Sequence, residues 1–137
     1  MTTGSTVSTY ESITGGSDLL EWFGRVPSFH DAEVLNIHLR REGRSTLTIH
    51  TWNMTDRIKN GYFVLEKHAV VEFSIDRIYE LELDGFNHQN VIRGLDLTRV
   101  NLEDNKAVYE LSIDQCYGLS GSIRAEKIAV KCTAVKP

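Results

Sequence analysis

After Glu33, apolar and polar residues alternate along most of the chain, which is the pattern of half-buried β-strands. Turn-forming residues separate the alternating segments, and no repeat of 20 to 50 residues is visible. The clearest segments are 35–39, 47–51, 71–75, 79–83, 92–97, 109–113 and 123–134. The pattern predicts a mainly β fold with an antiparallel sheet, arranged either as a sandwich or as a curled sheet.

One short segment before the first strand has helical periodicity instead. Its apolar positions fall on one helix face and are Leu19, Leu20, Trp22 and Phe23. Ser17 is expected to cap the start of this helix, and Gly24 to end it in a left-handed conformation. We therefore expect one short N-terminal helix that docks onto an opening of the sheet.

The composition divides the chain into two parts. Residues 1–16 are mostly Ser, Thr and Gly, which predicts a flexible tail with Tyr10 and Ile13 as the residues able to anchor it. Residues 17–137 are expected to form a single, mostly β domain, since 137 residues with an apolar fraction of 41% suit one core.

The first two strands predict a hairpin with Glu42-Gly43-Arg44 as a three-residue loop. That loop places Leu39 opposite Leu47 and Ile37 opposite Ile49, so both pairs are apolar and share a face. His38 and His50 then become diagonal neighbours on the outer face. They are either two plain surface residues or a pair able to share a metal ion.

Further along, the pattern is less regular. Residues 53–68 resemble a polar excursion in which Asn60-Gly61 marks a turn, and Glu103 to Lys106 marks a later turn. Arg77 and Ile78 interrupt the third strand, which leaves open a bent strand or two strands. Tyr79, Leu81 and Leu83 are expected to point to the core.

Acidic residues share one face of that strand: Glu72, Asp76, Glu80, Glu82 and Asp84. They predict a negative surface that steers a basic partner into contact. The alternatives are a solvated outer face or neutralisation by a neighbouring strand that carries Arg93 or Arg99. The formal net charge is −4, which argues against general nucleic-acid binding.

The segment Pro27–Glu33 concentrates polar side chains between the helix and the first strand. His30, Asp31 and Glu33 suggest a metal site or an acid/base pair, or else a turn capped by Asp31 in which His30 bonds to backbone. We expect neither catalytic residues nor a cofactor, because no nucleophile or phosphate-loop motif can be found. Cys116 and Cys132 form no metal-binding spacing, and Cys132 is expected to be a buried free thiol.

Three segments resemble a family of small bacterial proteins called immunity protein 50. They are Trp22-Phe23 followed by Pro27 to Leu35, then Phe86 to Ile92, then Cys116 to Leu119, and the likeness covers roughly residues 19–134. The distinctive positions, for which no role is assigned, are Trp22, Phe29, His30, Asp31, Glu33, Asn87, Gln89 and Asn90. The resemblance implies a polymorphic toxin system, in which such a protein binds a cognate toxin rather than catalysing a reaction.

These observations favour a cytoplasmic immunity protein, with neither a secretory signal nor an apolar run long enough for a membrane helix. Its expected partner is a toxin domain, and neither nucleic acid nor a membrane is expected to bind. Two alternatives stay open: a small metal-dependent enzyme or metal-binding protein using His30, Asp31 and Glu33, and a structural subunit of a β-rich oligomer. Monomer and homodimer are both compatible with the sequence.

Overall fold

The structure, a computed structural model, describes residues 6–102 and 106–135. Its elements in chain order are α1 (Thr6–Glu11), α2 (Gly16–Phe23), β1 (Glu33–His38), β2 (Ser45–Lys59), β3 (Tyr62–Asp84), β4 (Val91–Asn101), β5 (Ala107–Tyr117) and β6 (Ser120–Ala134). The predicted mainly β class is confirmed. Neither helix is long and apolar enough, within the residues described, to cross a membrane.

The six strands form one antiparallel sheet that closes on itself in the order β1-β2-β3-β6-β5-β4. Closure is brief, because β1 meets β4 through the pairing of Glu33 with Val91. Inward-facing apolar side chains of every strand fill the interior. Of the two predicted arrangements the sheet adopts the curled one, since the curl continues until the ends meet.

The N-terminal segment fills an opening between β5 and β6. These strands pair only from Ile113–Gly121 to Tyr109–Ala125, and farther along β6 the N–H of Val130 donates to Thr14 O at 2.9 Å. The apolar residues that this segment and α2 bury in the core are Tyr10, Ile13, Leu19 and Phe23. The helix therefore covers an opening of the sheet, as the pattern predicts.

The start of the chain is more ordered than its composition suggests. Within the stretch predicted to be a tail, α1 is helical and Tyr10 is fully buried. Residues 1–5 of that stretch lie outside the described part of the chain.

The ends of α2 depend on glycine. The predicted cap at Ser17 is wrong, because α2 begins at Gly16 and its N-cap is Gly15. Gly15 is left-handed (φ 83), and a β-carbon there would lie 1.7 Å from Val130 O, so only glycine allows this approach to β6. The predicted end at Gly24 is confirmed, with its N–H donating to Leu20 O at 2.7 Å.

The predicted register of β1 and β2 is wrong by two residues. Ile37 lies opposite Leu47, and the loop runs over residues 39–44. A bulge after Val34 turns Val34 into the core and leaves Leu35 about half exposed, and Leu39, which is also about half exposed, lies in the loop. The alternation of apolar and polar residues continues unbroken through the bulge. The sequence pattern therefore gives no sign of the bulge.

Residues 53–68 are strand rather than a polar excursion, so that prediction is wrong, although the turn at Asn60-Gly61 is confirmed. Both turn residues have positive φ (54 and 83), as a tight two-residue hairpin requires. Within the described residues, β1 pairs with β2 no further than His50, and β6 pairs with β3 no further than Ala69. Residues 53–67 therefore project from the closed sheet as a two-stranded extension, which we call the arm.

The interruption at Arg77 and Ile78 is a bend in one continuous strand. Arg77 has a left-handed backbone (φ 58), and the β3–β6 register shifts between Ile78 and Glu80. The extra residue is Tyr79, which is 58% exposed, so its prediction as a core residue is wrong. Leu81 and Leu83 do pack against the core. Residues 103–105 of the predicted later turn lie outside the described chain.

Candidate functional site

The three segments that carry the family resemblance meet where β1 closes on β4. Asp31 N donates to Ile92 O at 2.8 Å, and Ile92 N donates to Ala32 O at 2.9 Å. One step further, Val34 N donates to Asn90 O at 2.9 Å. We call this region, with the adjoining turn at Gly118 and Leu119, the seam.

Asn90 joins the loops of the seam through its side chain, which is buried. Its Oδ1 accepts from Asn87 N and from Leu119 N, each at 3.0 Å, and its Nδ2 donates to Asn87 O at 2.7 Å. Gly118 packs so closely that a β-carbon there would lie 2.4 Å from Asn90 Oδ1. The seam therefore depends on one amide side chain and on a glycine that leaves room for it.

Phe29 and Asp31 shape the turn that leads into β1. Both have left-handed backbones (φ 57 and 64), which are unusual outside glycine and are retained where the surroundings require them. The turn aims Phe29 into the core, where it is 1% exposed and its ring centroid lies 6.2 Å from that of Phe73. These two residues of the family motif therefore have structural roles.

His30 and Asp31 lie side by side in the turn that precedes β1. His30 Nε2 lies 3.6 Å from Asp31 Oδ2, with both side chains about half exposed, and His30 Nδ1 lies 3.2 Å from Arg93 O. The backbone bond predicted for His30 is confirmed, and Asp31 contributes to the turn through its left-handed backbone. Glu33 is exposed, in register with His50 and with Val91.

No three His, Cys, Asp or Glu side chains converge on a metal position in the part of the chain that the structure describes. Open depressions of about 450 and about 390 Å³ lie among the described residues, and the His30 cluster lines neither of them. The first is lined by Asp18, Glu21, Trp22 and Lys67, and the second by Arg41, Glu42, Gly43, Asp76, Arg77 and Lys127. The alternative of a metal-dependent enzyme centred on His30, Asp31 and Glu33 gains no support from this geometry.

The remaining motif residues also hold chain segments together. Trp22 Nε1 donates to Lys67 O at 3.4 Å and Lys67 Nζ donates to Trp22 O at 2.9 Å, which ties α2 to the base of the arm. Asn87 Nδ2 donates to Gly85 O at 3.0 Å, and Asn87 Oδ1 accepts from Gln89 N at 2.8 Å. The exposed side chains of Asn87 and Gln89 lie on the surface of the seam.

The predicted acidic ladder runs along the outer face of β3, and basic residues of β6 lie opposite half of it. The pairs in register are Glu72 with Lys131, Asp76 with Lys127, and Glu80 with Arg124. The source of these cations differs from the one expected, because Arg93 binds Asp114 at 2.9 Å and Arg99 lies over the ring of Tyr109. The cations opposite this part of the ladder therefore belong to β6.

The other half of the ladder faces small polar residues. Glu82 lies opposite Ser122, and Asp84 lies opposite Ser120. Nearby Arg124 is shared, because its Nε donates to Glu110 Oε1 at 3.0 Å. Negative charge is therefore concentrated at the end of β3, which we call the acidic end and define as Glu80, Glu82 and Asp84. The predicted role of the whole ladder in partner binding stays a prediction.

The outer face of β2 and β3 carries a histidine pair at the base of the arm. His50 Nε2 lies 3.2 Å from His68 Nδ1, and the Trp52 ring packs on both, with centroids 5.2 and 5.8 Å away. Burial, and to a smaller extent His50, lowers the pKa of His68. The predicted pairing of His50 with His38 is wrong, because His38 lies opposite Thr46, farther along the strand.

Sequence reasoning missed this pair, although a signal for it exists. The Asn60-Gly61 turn joins β2 directly to β3, so counting back from it brings His68 close to His50. Counting residues back from the turn does not give the exact partner of His50, because the register shifts twice between the turn and Thr51. If residues 53–68 are taken as a loop, β2 and β3 are not recognised as a hairpin, and His68 is not placed beside His50.

The two cysteines are free thiols. Cys132 is half-buried against the core, and burial raises the pKa of its thiol. Cys116 is exposed near the seam. Cys132 is therefore a free thiol facing the core, as its position in the alternating pattern predicts, although its burial is incomplete.

Comparison with protein families links the fold to a known group. The family described as immunity protein 50 matches residues 16–136, a range that includes α2, all six strands and every segment of the seam. Comparisons with curated proteins and with solved structures found no match. The resemblance found in the sequence is thus confirmed over its whole length, and the chain belongs to the immunity protein 50 family.

Proposed function

We propose that this protein binds a cognate bacterial toxin domain and neutralises it by covering the toxin's active site. The observation that carries the proposal is the family match over residues 16–136. Occlusion needs a rigid scaffold with a complementary surface and no reactive group. A sheet closed on itself and fastened at the seam supplies that rigidity. The protein acts without catalysis, in the cytoplasm of the cell that makes the toxin.

The acidic end of β3 is the part of the surface best suited to attract a basic partner. Glu82 and Asp84 are exposed, and the residues opposite them on β6 are serines. Three strands away from Glu82, on β4, Asp96 lies in the same row, since Glu82 pairs with Ser122, Ser122 with Ser112 and Ser112 with Asp96. A surface of one charge sign accelerates encounter with a partner of the opposite sign. The toxin is therefore expected to present a basic surface.

The test is co-expression with the toxin-like domain encoded beside this chain's gene. The intact protein should restore growth and co-purify with that domain in a one-to-one complex. Association should slow as salt rises, because the attraction is screened. Toxicity that persists, with no complex on size exclusion, would show that the proposed function is wrong.

Two double variants test the docking surface with the same change in charge. Glu82→Gln/Asp84→Asn removes charges that face serines, and Glu72→Gln/Asp76→Asn removes charges that face lysines. The first is expected to reduce the association rate by about tenfold, and the second to leave it nearly unchanged. Equal rates for the two variants, in a complex that still forms, would reject the acidic end while leaving the immunity function intact.

A further inference from the structure

We propose that His50 and His68 together bind one divalent transition-metal ion of the zinc, nickel and copper class. The site lies on the outer face of β2 and β3 at the base of the arm. It is separate from the seam and from the acidic end of β3. The proposal does not depend on the toxin, because it concerns only side chains of this chain.

The distance between the two ring nitrogens suits a shared ion. In a tetrahedral zinc site the metal–nitrogen bonds are about 2.0–2.1 Å long, which places two imidazole nitrogens about 3.3 Å apart. His50 Nε2 and His68 Nδ1 are 3.2 Å apart. Small rotations of the two rings are therefore enough to turn both lone pairs towards one ion.

The backbone holds the pair in this arrangement. Thr51 and Ala69 are buried and point inwards, so His50 and His68 both point outwards as diagonal neighbours on one face. Lys67 has a left-handed backbone (φ 55) where the β2–β3 register shifts. The main chain of His68 is held as well, because Val135 N donates to His68 O at 3.0 Å.

The chemistry of the surroundings also favours a metal ion. Imidazole is a preferred ligand of zinc, nickel and copper, and it binds them in its neutral form. Glu33 lies opposite His50 in the β1–β2 register and places a negative charge on the same face. Water would complete the coordination shell, and the bound ion would link β2 to β3 beneath the arm.

Tryptophan fluorescence gives a local readout of the site. The chain has two tryptophans, so the Trp22→Phe variant leaves Trp52 as the only source of emission. Untagged protein is titrated with Ni²⁺ and with Cu²⁺, both of which quench a nearby indole, and with Zn²⁺ by calorimetry. We expect saturable quenching at one ion per chain, reversal by a chelator, and a rise in melting temperature.

The ligands are tested by single variants with a matched control. His50→Gln and His68→Gln should each weaken binding by about tenfold or more. His38→Gln, which changes an exposed histidine on the neighbouring strand, should leave the affinity unchanged. Circular dichroism verifies that each variant is folded.

Three results would overturn the proposal. They are unquenched Trp52 emission with no heat of binding in the parent protein, unchanged affinity in either ligand variant, and loss of affinity in the His38→Gln control. The parent titration decides the question by itself if a ligand variant does not fold. Binding should also be lost as the pH falls well below the usual histidine pKa near 6.5, since protons then compete for the ring nitrogens.

Discussion

The seam and the acidic end of β3 are both rich in polar residues, but their polar atoms have different partners. At the seam, the side chain of Asn90 bonds to the main chain of its own loop at Asn87 and of a second segment at Leu119. At the acidic end, Glu82 and Asp84 face solvent with serines opposite them. The most distinctive motifs of the sequence therefore lie where the sheet closes. The proposed recognition surface lies on an ordinary alternating strand.

This difference separates two kinds of experiment. Changes at the seam should lower the free energy of unfolding and reduce toxin binding only through loss of folded protein. Changes at the acidic end should leave folding intact and alter binding alone.

The largest effect is expected from Phe29→Ala. Phe29 is 1% exposed and packs on Phe73, so its truncation leaves a cavity that should cost about 3–5 kcal/mol of unfolding free energy. Phe86→Ala is the control, since Phe86 is 51% exposed and its loss should change stability by no more than about 0.5 kcal/mol. Urea unfolding measures both. Equal costs would mean that the seam motif is not a packing element.

A somewhat smaller loss is expected from Asn90→Ala. The change removes the shared acceptor of Asn87 N and Leu119 N and leaves both N–H groups without it, which should cost about 2–4 kcal/mol. Gln89→Ala, at the exposed neighbouring position, should be nearly neutral. If unfolding shows both variants to be equally stable, Asn90 does not hold the seam together.

Tyr10→Phe should act in the opposite direction, by about 1 kcal/mol. The Tyr10 hydroxyl is buried and no partner for it is found among the described residues, in contrast to the fully bonded Asn90. Burial, with a contribution from Asp96, also raises the pKa of Tyr10. Above about pH 10 the unfolded chain loses this proton while the folded chain keeps it, so the parent protein loses stability there.

Thermal and urea unfolding of the parent and of Tyr10→Phe, at neutral and at alkaline pH, test both parts of this prediction. The advantage of the variant should widen as the pH rises through 10. A variant less stable than the parent at neutral pH would show that the hydroxyl has a favourable interaction. In that case the buried Tyr10 hydroxyl would no longer contrast with the hydrogen-bonded side chain of Asn90.

The smallest effect is expected from Glu82→Gln/Asp84→Asn. Both side chains are exposed, so the unfolding free energy should change by about 0.5 kcal/mol or less. Glu72→Gln/Asp76→Asn should be slightly destabilising, because it removes the pairing with Lys131 and Lys127. A large loss of stability in the first variant would show that the acidic end supports the fold, which would remove the distinction between the two regions.

The sequence alone predicts the fold class, the family and the outward position of the acidic ladder. Each of these depends on a local pattern of residues that the folded chain keeps. Prediction from the sequence fails where the chain departs from that pattern by one residue. The bulges at Val34 and at Ile78 reverse the side of Leu35 and Tyr79, and alternation alone does not reveal them.

Long-range contacts are the second limit. Whether His50 meets His38 or His68 depends on the register of β2 against both neighbouring strands. Taking residues 53–68 as a loop instead of two strands leads to the wrong partner. The cap of α2 is similar, since Gly15 is required by the approach of β6 and not by its own neighbours in sequence. The interpretation of His30 as bonded to backbone is confirmed, but its partner, Arg93 O on β4, could not be named from the local turn.

The bond between Thr14 and Val130 constrains the order in which the molecule can assemble. It joins a segment that precedes β1 to β6, so the opening beside β5 stays uncovered until β6 has been synthesised. Contacts so distant along the chain slow folding, because a long loop must close before they form. During that interval Tyr10, Ile13 and Leu19 lack their final environment. Newly made molecules are then most vulnerable to aggregation and to proteases.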